Sequence, residues 1–200
     1  MFIVTQQQNS PVIMYPDSGT YVSGVSQFSA KFRIVLTGNQ TSNRSAVVDG
    51  FIYNSAASRH QIHTREDEIM LVLNGTLQID LNGFQFCAPA GTTIYIPQGT
   101  PQSQRNLDSN PVHIQIKFSP SGYENYLIQL TPFLLQPTIN QTAVTILNQN
   151  YGFISLPEVT WNDLKCWPNN NVVNSFASRK NIVLKEFSII FAFSLFLCFF

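Results

Sequence analysis

Between Tyr21 and Phe118 the chain runs in short apolar stretches that alternate with polar positions and stop at turn residues. Residues 69–73 and 93–96 are runs of β-branched, aromatic and other apolar side chains. Asn-Gly at 74–75 and 82–83, Pro89-Ala-Gly91 and Pro97-Gln-Gly99 interrupt the runs. Such clusters end strands because they supply turn dihedrals and withhold a ladder donor. The pattern predicts strands at 30–37, 46–53, 59–63, 68–73, 76–81, 84–87, 92–96, 101–105 and 112–118. Strands this short and this regularly spaced imply an all-β, antiparallel sandwich or barrel. Asn74-Gly75 is expected to close a hairpin, since Asn-Gly suits the two φ > 0 positions of a type I′ turn.

Past Phe118 the period changes. Ser119-Pro120-Ser-Gly122 is a breaker, and Tyr123, Tyr126, Leu127 and Leu130 recur at helical spacing. They predict a short amphipathic helix packed against the outside of the barrel. Residues 131–174 are punctuated by Pro and Asn, with apolar pieces at 143–147 and 151–156. Trp161-Asn-Asp-Leu-Lys-Cys-Trp167 reads as a helical turn covering one end of the barrel, and 169–174 as a loop. The chain thus divides into a barrel at 20–130, an irregular extension at 131–180 and an apolar tail at 187–200. That tail carries no charge over fourteen residues, short of the roughly twenty a membrane span needs. Three readings stay open for it: a lipid-anchor attachment signal, a short membrane tail, or a wrongly assigned final exon.

Composition narrows the function classes. Two hundred residues, 44% of them hydrophobic, can bury a core of one domain. Charged residues are only 11% and the formal net charge is zero, and no basic run exists to meet a phosphate backbone, so nucleic acid is excluded as a partner. Cys87, Cys166 and Cys198 are widely spaced with no Cys-x-x-Cys; they read as isolated thiols, neither a disulfide framework nor a zinc site. The apolar start at Met1–Val4 is too short for a secretory leader, so a cytoplasmic or tail-tethered location is expected. The acceptor patterns at Asn39, Asn43, Asn74 and Asn140 are then read as chance matches.

The candidate chemistry sits in Gln61-Ile-His63-Thr-Arg-Glu-Asp-Glu68, answered by Gly91-Thr-Thr-Ile-Tyr-Ile-Pro97-Gln-Gly99-Thr-Pro101-Gln102-Ser-Gln-Arg-Asn106. Alternation sends Gln61 and His63 to one face, His60 and Ile62 to the other. Imidazole, carboxylate and amide groups converging inside an apolar barrel suit a small-molecule or metal pocket. His113 shares an alternating run with Lys117 and is expected on a solvated outer face.

These two blocks resemble the cupins, whose pattern runs Gly, five residues, His-x-His, Glu, and Gly six residues later. A second block follows with Gly, five residues, Pro-x-Gly, two residues, His, three residues and Asn. The spacing is kept at Gln61, His63, Glu68 and Gly75, and again at Gly91, Pro97, Gly99, Gln102 and Asn106; the leading Gly position holds Ser55. Phe32–Gly38, Arg65–Glu68 and Phe118–Glu124 are most similar to quercetin-dioxygenase-like members. The resemblance covers roughly residues 20–130 and implies a single cupin jelly-roll barrel with short helical and irregular C-terminal additions. It also implies a divalent metal held by three His and one Glu, ligands that would fall on Gln61, His63, Glu68 and Gln102. Two of those imidazoles are amides here, and a neutral amide oxygen is a poor donor for iron, copper, manganese, nickel or zinc. His60 could replace one only if a bulge turned it inward.

Two functions follow as expectations. One is a metal-free or weakly metal-binding module that holds a small apolar or aromatic molecule through Gln61, His63, Glu68 and Gln102. The alternative is a metal-dependent oxidoreductase resembling quercetin dioxygenases, with His63, Glu68 and His60 as ligands and Glu68 as base. A homodimer is left open, because related barrels often dimerise.

Overall fold

The alternation read from the sequence becomes two antiparallel sheets. The computed structural model describes residues 11–22, 30–136 and 138–166. Its strands are β1 (Thr20–Val22), β2 (Ala30–Leu36), β3 (Ala46–Ile52), β4 (Gln61–His63), β5 (Asp67–Asn74), β6 (Thr76–Leu81), β7 (Phe84–Pro89), β8 (Thr93–Ile96), β9 (Gln102–Arg105), β10 (Val112–Ser119) and β11 (Phe153–Ser155). One sheet has the order β1-β2-β3-β10-β5-β8, the other β11-β4-β9-β6-β7. Two helices, α1 (Tyr123–Leu134) and α2 (Gln141–Tyr151), lie between β10 and β11 in sequence. This is a jelly roll with short helical additions. All of these elements belong to the first of two compact units, Met1–Leu164; of the second, Lys165–Phe200, only Lys165 and Cys166 are described.

Period-2 patterning explains the core. In β10, Val112, Ile114, Ile116 and Phe118 are buried while His113, Gln115 and Lys117 face out. Met70 and Val72 of β5, Val48 and Ile52 of β3, and Leu77 and Ile79 of β6 complete one apolar cluster. Burying each such side chain stabilises by roughly 1.5–3 kcal/mol. His113 lies on the outer face but is not solvated as expected: it is half-buried, stacked on Phe51 at 4.3 Å, with Nε2 shielded from solvent.

Asn74-Gly75 does not close a hairpin. β5 and β6 belong to different sheets, and Gly75, at φ +83°, turns the chain from one to the other with a would-be Cβ only 2.8 Å from Val112 Cγ2. The hairpin is at Asn82-Gly83, where both residues have positive φ and Leu81 faces Phe84. Asn-Gly therefore marked a φ > 0 corner in both places, but only one of them joins paired strands.

The extension is more ordered than its Pro and Asn content implies. α1 runs four residues beyond Leu130, through Pro132. α2 begins at an Asn140 cap, whose side chain accepts from Ala143 N at 3.0 Å, and ends at Gly152 with φ 71°. These are ordinary start and stop signals around the Val144 and Leu147 stripe. β11 then pairs with β4, placing Phe153 opposite His63. Residues 157–164 form no helical turn over the barrel end. They run as an extended strap on the outer face of the five-stranded sheet. Gln85 Nε2 donates to Thr160 O, Gln78 Nε2 donates to Asn162 O, and Arg105 lies 4.7 Å above the Trp161 ring. Side chains of three strands take the strap's backbone polar groups, so it needs no helix of its own.

Cys87 and Cys166 are each disulfide-bonded, which corrects the reading of them as isolated thiols. The expected loop at 169–174 and the apolar tail at 187–200 lie outside the described residues. Among the described residues no helix is long and apolar enough to cross a membrane.

Gly75 and Gly91 both have positive φ, but a Cβ at Gly91 would meet open space whereas one at Gly75 would meet Val112. Gly91→Ala is expected to cost about 1 kcal/mol of left-handed strain, and Gly75→Ala distinctly more. Chemical denaturation of the two variants checks this; equal costs would contradict the packed corner.

Candidate functional site

Six strands and one helix line a cavity of about 90 Å³, β2 and β3 contributing Phe32 and Ile52 to its walls. β4 supplies Gln61 and His63, β5 Glu68, β9 Gln102 and β10 Ile116 and Phe118; α1 lays Tyr123, Tyr126, Leu127 and Leu130 along one wall. The helix was expected to pack on the barrel's exterior, yet its apolar stripe forms part of the cavity lining. The structure therefore brings together Gln61, His63, Glu68 and Gln102. It does not bring His60. That ring points the other way, as alternation requires, with Nδ1 2.7 Å from Pro157 O under the strap. No bulge turns it inward.

His63 sits in an aromatic box. Its ring centroid is 4.1 Å from Phe153, 5.1 Å from Tyr123 and 5.9 Å from Phe118. Burial without a charged partner lowers its pKa to about 3, so the imidazole is neutral. Glu68 is just as enclosed, and burial raises its carboxyl to about 8; the Gln102 hydrogen bond pulls the other way and Glu66 adds to the rise. At neutral pH both members of the pair are uncharged. They form no ion pair although His63 Nδ1 stands 3.2 Å from Glu68 Oε1, and no aligned hydrogen bond joins them. Gln102 Nε2 donates a hydrogen bond to Glu68 Oε1. Gln61, the cross-strand partner of Gln102, has its amide 3.1 Å from His63 Nε2.

A second buried carboxyl lies behind the first. Glu66 is 3% exposed and its Oε2 has no hydrogen-bond partner. Burial raises its pKa to about 7, with Arg65 opposing and Glu124 adding to the rise. Glu124 is fully engaged, accepting from Gly38 N at 2.9 Å and Gly122 N at 2.8 Å. Sequence reasoning passed over Glu66 and Tyr123. The signal for Glu66 was its place two residues before Glu68, just ahead of β5. Asn106, at the family's closing Asn position, is structural: its amide donates to Ile52 O and Asn110 O, each at 2.8 Å.

The family model described as Cupin matches residues 34–150, more than half of the chain. The chain is a cupin. No curated protein matches this cupin in sequence. Among solved structures it is similar to KdgF from Halomonas sp., at 18% identity over 58% of this chain and 99% of that one, with a TM-score of 0.49. It is similar also to an RmlC-like cupin from Shewanella frigidimarina NCIMB 400, at 13% identity over 58% and 96%, TM-score 0.47. A sugar phosphate isomerase from Silicibacter pomeroyi DSS-3 is 14% identical over 54% and 75%, TM-score 0.45. None of these likenesses carries an activity over.

Cupins often bind metals, so the donor set of this cupin has to be tested against one. A metal needs deprotonated ligands whose lone pairs converge on one point. Here Gln102 donates into Glu68 Oε1, and the two nitrogens of His63 face Glu68 and Gln61. Among the described residues no group of three His, Cys, Asp or Glu is placed to hold an ion. These residues do not fit a divalent metal.

The raised carboxyls make stability depend on pH. Glu66 and Glu68 hold their protons more tightly folded than unfolded, so their stabilisation is whole below 4.5 and is lost as pH rises through about 7 and about 8. His63 acts oppositely, its contribution being complete above 6.5 and lost as pH falls toward about 3. Between pH 6.5 and 8 only the carboxyl effect is running. The thermal midpoint is expected to fall across that interval and Glu68→Gln to flatten the fall. A wild-type midpoint that stays level or rises there would contradict the assignment.

Proposed function

We propose that this cupin is a metal-independent module that binds one small, largely apolar molecule in the barrel cavity. The observation that carries the reading is the Gln61–His63–Glu68–Gln102 cluster, whose polar atoms are directed at one another and not at a common ion. The walls are Phe32, Ile52, Ile116, Phe118, Leu127 and Leu130, and the cluster forms a polar end that can orient a ligand by hydrogen bonds. At about 90 Å³ the space is smaller than an engineered cavity of about 150 Å³ that takes up benzene, which favours a molecule no larger than a single small ring over a multi-ring substrate.

The alternative, an oxidoreductase resembling quercetin dioxygenases, needs a third ligand beside His63 and Glu68. With His60 committed to Pro157 O, no observation favours it. Protein purified without chelator is expected to carry far less than one transition-metal ion per chain by elemental analysis, unchanged in His63→Ala. Stoichiometric metal lost on that substitution would establish the oxidoreductase reading instead. A gain of function tests the same point from the other side. Gln61→His with Gln102→His restores two imidazoles and removes the amide that occupies Glu68, so the double variant is expected to take up zinc or nickel stoichiometrically.

A further inference from the structure

The acceptor pattern Asn-x-Ser/Thr stands at Asn39, Asn43, Asn74 and Asn140. Its reading as chance rested on a cytoplasmic location, and the fold removes that ground: Cys87 and Cys166 are each disulfide-bonded. Such bonds persist in oxidising compartments and are rare where glutathione and thioredoxin keep thiols reduced. Two exceptions exist, transient catalytic disulfides and the intracellular bridges of hyperthermophiles. Neither fits this chain. It holds no Cys-x-x-Cys pair, and its 11% of charged residues is the reverse of the Lys- and Glu-rich surfaces of hyperthermophile proteins. A compartment whose thiol–disulfide oxidants take two electrons and two protons for each bridge is therefore part of the chain's history.

The folded chain leaves room for glycans at three of the four positions. Asn39 lies in the 3₁₀ turn Gly38–Thr41, Asn74 ends β5, and Asn140 caps α2. All three are exposed, as a bulky, solvated modification requires. Asn140 accepts from Ala143 N through Oδ1, whereas a glycan is attached at Nδ2, so cap and glycan coexist. Asn43 is different. Its backbone is left-handed at φ 60°, and its Oδ1 lies 3.0 Å from where a Cβ at Gly38 would stand, so the side chain is folded back on the turn. Asn106, which is buried and donates to Ile52 O and Asn110 O, is followed by Leu-Asp and carries no acceptor pattern.

We propose that Asn39, Asn74 and Asn140 are N-glycosylation sites, carrying oligosaccharide acquired in the same oxidising route that sets the disulfides. The donor is an oligosaccharide held on a lipid diphosphate. Asn Nδ2 attacks its anomeric carbon; the C–N bond forms, the anomeric C–O bond breaks, and the lipid diphosphate leaves with the electron pair. The amide proton passes to a base of the transferring enzyme, and no oxidation state changes. None of the three asparagines lines the barrel cavity, so the glycans leave the interior site as it is.

The test uses the full chain isolated from its own cells without reductant. Free thiols are alkylated, the glycans are released by a peptide-N-glycosidase in H₂¹⁸O, and the peptides are read by mass spectrometry. The expected result is Asp carrying one ¹⁸O atom at positions 39, 74 and 140, with Cys87 and Cys166 unalkylated until a reductant is added. The variant Thr142→Val, expressed in the same cells, breaks the acceptor pattern but keeps the Asn140 cap. It is expected to lose the mark at Asn140 alone and to keep those at Asn39 and Asn74. Unmarked asparagines at all three positions overturn the proposal, whatever the state of the thiols. Free Cys87 and Cys166 thiols in the isolated chain overturn its premise and the proposal with it. A mark that persists at Asn140 in Thr142→Val also overturns it, since spontaneous deamidation and not glycan release would then be its source.

Discussion

The proton on Glu68 is the constraint around which the rest of the barrel interior is arranged. A carboxylate placed among Phe118, Ile116 and the His63 ring would meet a low dielectric with no cation in contact, and such a charge is relieved by taking up a proton. Gln102 supplies one hydrogen bond, too little to hold the charge on, and Glu66 behind it makes ionisation harder. The same apolar walls strip the charge from His63. Neutral hydrogen bonds link the cluster instead, from Gln102 to Glu68 and between the Gln61 amide and His63.

The fold protects this arrangement from two sides. α1 covers the cavity, and its start is fastened by Glu124, whose two oxygens take the backbone N–H groups of Gly38 and Gly122. Hydrogen bonds of this kind contribute about 0.5–1.5 kcal/mol each, so the turn before α1 and the turn after β2 are held as one piece. On the other side β11 adds itself to β4 and delivers Phe153 to the His63 ring. The C-terminal additions thus finish the site and are not appendages to it.

Much of this was legible in the sequence, and for a physical reason. Strand positions follow from alternation, which a half-buried sheet enforces residue by residue, so β2, β3, β5, β6, β7 and β10 lie close to where the pattern put them. The convergence of Gln61, His63, Glu68 and Gln102 was legible because the resemblance to the cupin blocks implied it; alternation alone put only Gln61 and His63 on one face. What escaped depends on contacts distant in the chain. The strap at 157–164 is held by Gln78, Gln85 and Arg105, none of which marks its partner in sequence. α2 carried a capping Asn and a closing Gly, but its apolar stripe is too sparse to stand out from a Pro- and Asn-rich stretch. Tyr123 looked like one more apolar contact of an amphipathic helix; its place in the cavity wall against the His63 ring depends on how α1 packs and is not marked in its spacing.

The protonation state of Glu68 can be observed directly. Chain carrying ¹³C at the glutamate side-chain carboxyl carbons, with the Glu68 resonance assigned through Glu68→Gln, is titrated by NMR across the stable pH range. A neutral carboxylic acid signal at pH 7, giving way to carboxylate near the expected value of about 8, is the outcome that follows from a buried, uncharged cluster. A Glu68 signal that is already carboxylate at pH 6 would mean that the cavity holds a charge, and the reading of a metal-independent, hydrogen-bonding site would fail with it.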